Sequence, residues 1–283
     1  MTAAIPRTRA DLVALLESRG LRLSKRYGQS FLVDPQLADA IVADAGVTAQ
    51  DHVVEIGPGA GGLTQPLLAA AGRVTAVEID NGLAALLTES LGGNAAFRIV
   101  HGDCLEDGLH PAIREAFDAA RREGRRALVV ANLPYSVGTE ALARLVDLEP
   151  PPDAIVAMLQ AEVCDRLRAT TGSDDYGPLA VLAATTGRVE ILRRVRPDVF
   201  FPRPTVDSVV FRWTPDPERR VEATPRRRAN EIAGVAFRQR RKTLGKSLRG
   251  VVPEAALAAS GIDAASRPER IAPEAWVRLA RTL

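Results

Sequence analysis

From residue 50 onward, short runs of aliphatic and β-branched residues alternate with stretches of helical periodicity, and this alternation limits the fold more than any other feature. It is the pattern of βαβ units wound into a mostly parallel sheet, because parallel neighbours need a crossover long enough to hold a helix. The runs 52–56 (HVVEI), 73–78 (RVTAVE), 96–100 (AFRIV), 127–131 (ALVVA) and 154–159 (AIVAML) read as strands. Helices are expected near 64–71, 82–91, 109–122 and 138–148. Past residue 175 the pattern changes. The runs 189–195 (VEILRRV) and 207–213 (DSVVFRW) are strand-like, with a Pro-rich loop and no helix between them, which predicts a closing antiparallel pair. The prolines of that loop, Phe200-Phe201-Pro202-Arg203-Pro204, should hold its aromatic residues in a fixed place.

Three regions follow. Residues 1–30 are expected to form a short helix and a basic arm: Thr8 can cap the helix, Leu12, Leu15 and Leu16 share one face, and Gly20 can end it. Arg7, Arg9, Arg19, Arg22, Lys25 and Arg26 make this region mildly basic, but Asp11 and Glu17 interrupt them, unlike an organelle transit peptide. Residues 31–215 carry the α/β pattern. After a linker over 215–225, residues 216–283 read as helix throughout, a small all-α domain. There are no internal repeats and no low-complexity tracts.

Composition excludes several classes. No apolar run reaches the roughly 20 residues of a membrane span, and the N-terminus lacks the apolar core of a secretory signal. Cys104 and Cys164 form no CxxC and there is no histidine cluster, so neither a disulfide framework nor a metal site is expected, and a reducing cytoplasm fits best. The net charge of +2 conceals a division. Residues 1–215 hold 22 Lys or Arg against 27 Asp or Glu, whereas 216–283 hold 15 against 8, a net of −5 beside a net of +7. Such asymmetry is expected when one part of a protein meets a polyanion, although a solvated helical face has the same composition. Within 226–249 nine basic residues face the single acid Glu231. A stripe of this kind attracts phosphates without reading sequence.

The loop Glu55-Ile56-Gly57-Pro58-Gly59-Ala60-Gly61-Gly62 follows the first of these strands and opens onto a helix, so backbone can approach a ligand closely at the strand's carboxyl end. Two cofactors fit it. Gly57, Gly59 and Gly62 satisfy a dinucleotide GxGxxG, with Glu78 placed to accept from a ribose, and Glu55-x-Gly57-x-Gly59-x-Gly61 equally satisfies the pattern of S-adenosylmethionine enzymes. Asp103, after the third strand, is either an acceptor for a cofactor's adenine amine or a cap or turn residue.

Ala131-Asn132-Leu133-Pro134-Tyr135, at the end of the fourth strand, decides between them. An exocyclic adenine amine is a poor nucleophile because its lone pair is delocalised into the ring. A methylating enzyme must therefore favour the tetrahedral nitrogen in which that pair is localised, and two hydrogen-bond acceptors do this. The Asn132 side-chain oxygen and the Leu133 carbonyl can each accept one N–H, Pro134 fixes the chain direction, and Tyr135 offers a ring on which an unstacked base can lie. A β-turn has the same residue types, but its place beside the crevice where open α/β sheets bind ligands favours the site.

With these motifs the chain resembles the rRNA adenine dimethyltransferase family, in particular the branch that modifies two adjacent adenosines near the 3′ end of 16S rRNA. The resemblance covers about residues 22–283. It runs through Gly28-Gln29-Ser30-Phe31-Leu32, the glycine loop, Val77-Glu78-Ile79-Asp80, the NLPY site, the segment 200–208 and Phe237-Arg238-Gln239-Arg240-Arg241-Lys242-Thr243-Leu244. It implies a Rossmann-like class I methyltransferase domain, with a seven-stranded mostly parallel sheet and an antiparallel closing strand, followed by an all-α RNA-binding domain. It implies S-adenosylmethionine as cofactor, no metal, and contacts to it at Ser30, Leu32, Gly57, Glu78, Asp103 and Asn132. It also implies that Phe200 faces Tyr135 across the flipped base, where the residues alone do not choose between Phe200 and Phe201, and that Arg238, Arg240, Arg241, Lys242 and Lys246 meet RNA. The expected partner is 16S rRNA within the small ribosomal subunit or its precursor, with no membrane association and a monomeric enzyme.

Two positions depart from the family pattern. Ser30 stands where Asn is usual, a shorter acceptor for the cofactor, and Gly245 stands where a basic residue is usual, one phosphate contact fewer. The alternatives are a 23S rRNA adenine methyltransferase of the same fold, which the RRKTL segment disfavours, and an RNA-binding assembly factor without catalysis, which the intact Glu78, Asp103, Asn132 and Tyr135 disfavour.

Overall fold

The computed structural model describes residues 5–21, 23 and 28–283, so Arg22, Lys25 and Arg26 of the expected basic arm lie outside the described residues. The chain divides into two compact units. Its elements in order are α1 (Arg9–Ser18), β1 (Phe31–Leu32), α2 (Pro35–Ala45), β2 (His52–Ile56), α3 (Thr64–Ala70), β3 (Arg73–Glu78), α4 (Asn81–Leu91), β4 (Phe97–His101), α5 (Pro111–Arg122), β5 (Ala127–Asn132), α6 (Gly138–Val146), β6 (Ala154–Gln160), α7 (Ala161–Arg168), α8 (Pro178–Ala184), β7 (Gly187–Val195), β8 (Phe200–Phe201), β9 (Ser208–Pro215), α9 (Ala223–Phe237), α10 (Leu244–Ser247), α11 (Glu254–Ala259) and α12 (Pro273–Arg281).

Seven strands form one sheet in the order β4-β3-β2-β5-β6-β9-β7. β2 pairs in parallel with both β3 and β5, β3 with β4, and β5 with β6, while β9 runs antiparallel to β6. β2 and most of β5 are buried on both faces, which is why they read as continuous apolar runs rather than as alternations. Their core includes Val53, Val74, Leu87, Leu128, Val130 and Met158. The chain turns away from β2 in opposite directions, to β3 and β4 on one side and to β5 and β6 on the other. This makes the β2–β5 boundary the switch point beside which such sheets open a ligand crevice.

Helices α7 and α8 go beyond the elements expected from the sequence, and so do two further features. Phe31↔Phe201 and Leu32↔Phe200 pair as a separate two-stranded antiparallel ribbon, each strand too short to show a period. α2 is the other, although its signals are ordinary ones: Asp34 accepts the Leu37 N–H as N-cap, Pro35 opens the first turn, and Gly46 closes it at φ +62°.

Residues 216–283 do not make up the second unit alone. It also takes in 146–151, 162–189 and 214–215, because Tyr176, Ala180 and Val181 pack into the core formed by Ala229, Ala233, Leu257 and Trp276. The Tyr176 hydroxyl donates to the Ile271 carbonyl at 2.7 Å and ties the two segments together.

Candidate active site

The glycine loop leaves β2 at Gly57, whose N–H donates to the Val77 carbonyl at 2.9 Å and so stays in register with β3. Gly57 has φ +68°, and a Cβ there would lie 2.8 Å from Cγ of Pro134. The glycine loop and the NLPY segment therefore touch, and only a residue without a side chain allows it. At Gly59 a Cβ would lie 2.7 Å from the ring of Phe31, so the GQSFL segment closes on the same loop.

Glu78, at the end of β3, is held by two backbone donors: Gly59 N–H to Oε2 and Asp80 N–H to Oε1, each at 2.9 Å. Burial raises its pKa above the ordinary carboxylate value in spite of those donors. Glu55 is buried more completely, accepts the Thr64 hydroxyl at 2.7 Å, and is pushed up to about 8 by burial, with the nearby Glu78 adding to the effect. Asp103 is exposed. Its Oδ1 accepts the Leu105 N–H at 2.9 Å in a turn, and its other oxygen takes no hydrogen bond from the described residues.

The Asn132 side chain is oriented by Ser30. Its Nδ2 donates to the Ser30 carbonyl at 3.0 Å. Because a carbonyl only accepts, the bond fixes which end of the amide is nitrogen and leaves Oδ1 as the acceptor end. Leu133 is buried, and no described residue donates to its carbonyl, so the second acceptor is also uncommitted. The Ser30 hydroxyl donates to the Pro202 carbonyl at 2.9 Å, so this serine acts through its backbone, a role its side-chain type does not signal. Tyr135 is half-buried, and its hydroxyl is bonded to that of Ser208 at 2.7 Å. Burial raises its pKa, so it stays protonated at neutral pH.

One cavity of about 270 Å³ unites these groups. Ser30, Leu32, Gly57, Glu78, Asp103 and Asn132 line it, together with Leu133, Pro134 and Tyr135. Phe200 does not. It is 3% exposed, paired with Leu32 and packed into the sheet core, while Phe201 is half-buried with the Arg9 guanidinium 5.0 Å from its ring centre. Phe31 of the GQSFL segment also lines the cavity, as do Cys104 and Leu12, which no motif in the sequence marks. Cys104 is a buried thiol pushed up to about 12, which removes it as a nucleophile.

In the second unit, Arg238, Arg241, Lys242 and Lys246 lie at or near the surface around the turn that follows α9. Arg240 is not free in the same way. Its guanidinium donates to the carbonyls of Ser173, Asp174 and Tyr176 at 3.0, 2.6 and 3.2 Å. Arg226 is 1% exposed, bonded to Asp147 and Glu149, and Arg227 is paired with Asp147, so the nine-residue basic stripe contains cations that hold the fold. Among the described residues no helix is long and apolar enough to cross a membrane, and no group of three His, Cys, Asp or Glu is placed to hold a metal ion.

Residues 20–283 match the profile of the family described as Ribosomal RNA adenine dimethylase. The chain belongs to the ribosomal RNA adenine dimethylase family. Relatives within it include the Ribosomal RNA small subunit methyltransferase A of Magnetococcus marinus, 39% identical over 95% of this chain and 94% of the relative, and that of Shouchella clausii, 36% identical over 98% and 95%. The fold is shared with a dimethyladenosine transferase from Plasmodium falciparum, at a TM-score of 0.69 and 21% identity, over 87% of this chain and 94% of that one. It is also shared with the 23S rRNA methyltransferase ErmE, at a TM-score of 0.59 and 26% identity, over 89% and 99%. The dimethylase match begins after α1 and takes in the glycine loop, Glu78, Asp103 and the NLPY segment.

Proposed function

We propose that the protein transfers methyl groups from S-adenosylmethionine, in two successive rounds, to the exocyclic amines of two adjacent adenosines near the 3′ end of 16S rRNA in the small ribosomal subunit or its precursor. The observation that carries this reading is the Asn132 amide, turned by the Ser30 carbonyl so that its oxygen and the Leu133 carbonyl are both left to accept.

The cavity fits the cofactor on features of its own. Backbone comes in at Gly57 and Gly59 where side chains would collide, a buried carboxylate closes the end of β3, and Asp103 keeps one oxygen for an amine. Gly57 and Gly59 are suited to the close approach of the donor, Glu78 to its ribose hydroxyls and Asp103 to its adenine amine; Ser30 and Leu32 wall the same space. When bound, the cofactor supplies a methyl group made electrophilic by its sulfonium. The protein's part is position and hydrogen bonding. Asn132 Oδ1 and the Leu133 carbonyl each take one N–H of the target amine and favour the nitrogen whose lone pair is localised. Tyr135, its hydroxyl tethered to Ser208, offers its ring to the flipped base. The opposite face falls to Phe200, which must turn out of its packing beside Leu32 to reach it. No strong general base is required, because the methylated ammonium loses its proton readily.

Arg238, Arg241, Lys242 and Lys246 supply phosphate attraction, with Arg240 contributing what its carbonyl bonds leave. The small-subunit names of relatives at 36% and 39% identity over nearly the whole chain favour 16S over 23S rRNA. The test is Asn132→Ala with labelled adenosylmethionine and unmodified small subunits. Transfer should be lost with the melting profile unchanged, and near-normal transfer would remove the mechanism.

A further inference from the structure

Helix α1 has no part in the mechanism above and lies upstream of residue 20, where the family match begins. It is nevertheless fastened at several points. The Asp11 N–H donates to the Thr8 hydroxyl, and the Thr8 N–H donates back to the Asp11 carboxylate, so the acid that interrupts the basic arm closes a capping box. Arg7 reaches both carboxylate oxygens of Asp39 in α2 at 2.9 and 3.0 Å, and Arg19 forks onto both of Glu89 in α4 at 2.5 and 2.8 Å. Exposed ion pairs contribute little singly. The larger anchor is apolar: Leu12, 1% exposed, and Leu16 pack with Phe31, Ala60, Leu83 and Leu86. Arg9 lies over Phe201, the second residue of the FFPRP loop. Pro6 and Leu12 line the cavity itself, beside Leu83 and Ile79, which follow the Glu78 end of β3.

We infer that α1 is the outer wall of the cofactor cavity, and that Leu12, packed behind Phe31, Ala60 and Leu83, holds those cavity-lining residues in place and so sets how fast S-adenosylmethionine and its demethylated product leave. Ala60 and Leu83 line the cavity on the side where the glycine loop and the Glu78 strand end meet, the side suited to the nucleoside, and Leu12 packs with them. This inference rests on the cofactor reading given above.

The test measures binding, not turnover. The dissociation constant and release rate of S-adenosylhomocysteine and of 5′-methylthioadenosine are compared for the full chain, Leu12→Ala and Thr8→Ala. Leu12→Ala should weaken both ligands by about tenfold, part of the loss expected when a buried leucine site is emptied and the residues packed on it shift. Both should weaken alike, since they share the nucleoside. Thr8→Ala touches no part of the cavity and remains informative if Leu12→Ala does not fold. By loosening the start of α1 it should speed release about twofold. Unchanged release in Thr8→Ala overturns the inference, as does unchanged affinity in a folded Leu12→Ala. Failure of the unaltered chain to bind either ligand overturns the cofactor reading instead.

Discussion

Gly57→Ala is the substitution that most directly joins backbone geometry to chemistry. An alanine at φ +68° costs about 1–2 kcal/mol for the left-handed conformation alone. The added Cβ would also sit 2.8 Å from Pro134 Cγ, where carbon atoms ordinarily rest about 3.5–4.0 Å apart, so one of them must move by roughly 1 Å. β2 is buried along its length and cannot yield, and Pro134 is followed immediately by Tyr135 and preceded by both acceptors. The displacement therefore falls on the NLPY segment. Overpacking of this kind adds about 1–3 kcal/mol to the loss of stability, and a misplacement of ~1 Å at reacting groups can cost about 100-fold in rate.

Gly46→Ala supplies the control. Gly46 has nearly the same φ, +62°, and a Cβ there would meet nothing within 4 Å, so it carries the backbone cost without the clash. The assay is kcat/KM for methyl transfer to small subunits, alongside thermal melting. Gly57→Ala should lose both stability and about two orders of magnitude in transfer, and Gly46→Ala only about 1 kcal/mol of stability. Equal activity in the two variants would refute the coupling between the glycine loop and the acceptors.

Tyr135→Phe and Ser208→Ala each break the same hydroxyl pair, so their effects on KM for RNA should coincide and the double variant should lose no more than either; additive losses would deny that Ser208 acts through Tyr135. His52, buried with Nε2 on the Thr75 hydroxyl, is held down to about 4, first by burial and then by the charge of Arg73. As pH falls the unfolded chain takes up this proton near 6.5 and the folded chain only near 4. Stability from this site is therefore complete above 6.5 and declines toward pH 4 by roughly 3 kcal/mol, and His52→Leu should flatten that decline in chemical denaturation. Glu55 has the opposite sign: the folded chain keeps its proton up to about 8 and the unfolded chain only to about 4.5, so stability falls as pH rises through that window. Glu55→Gln should accordingly be more stable than the parent at pH 8 and indistinguishable from it below pH 4. Replacing Arg238, Arg241, Lys242 and Lys246 with Ala should weaken RNA binding and reduce the slope of log K against log salt by about 3–4, whereas Arg226→Ala should unfold the second unit, read as loss of its thermal transition.

Much of this is legible in the sequence, for identifiable reasons. β2 and β3 fall on their expected bounds because strands covered on both faces are continuous apolar runs with turn residues at each end. The NLPY residues can be read as chemistry because few residue types place two acceptors and a ring at a strand end. Other features depend on pairing between distant segments, which composition does not carry. The β1–β8 ribbon joins Phe31 to Phe201 and Leu32 to Phe200, with nearly the whole of the large sheet between them in the chain. The work of Ser30 is done by its carbonyl, which any residue has. Counting charge over 226–249 treats Arg226, Arg227 and Arg240 like their neighbours, although acids and carbonyls already hold them.

The most direct test of the account is to map the methyl groups. Unmodified small subunits, large subunits and free rRNA are each incubated with the protein and labelled adenosylmethionine, and the labelled nucleotides are located. Dimethylated adenosine is expected at two adjacent positions near the 3′ end of 16S rRNA, lost in Asn132→Ala. Label confined to the large subunit, or transfer that survives Asn132→Ala, would contradict this expectation.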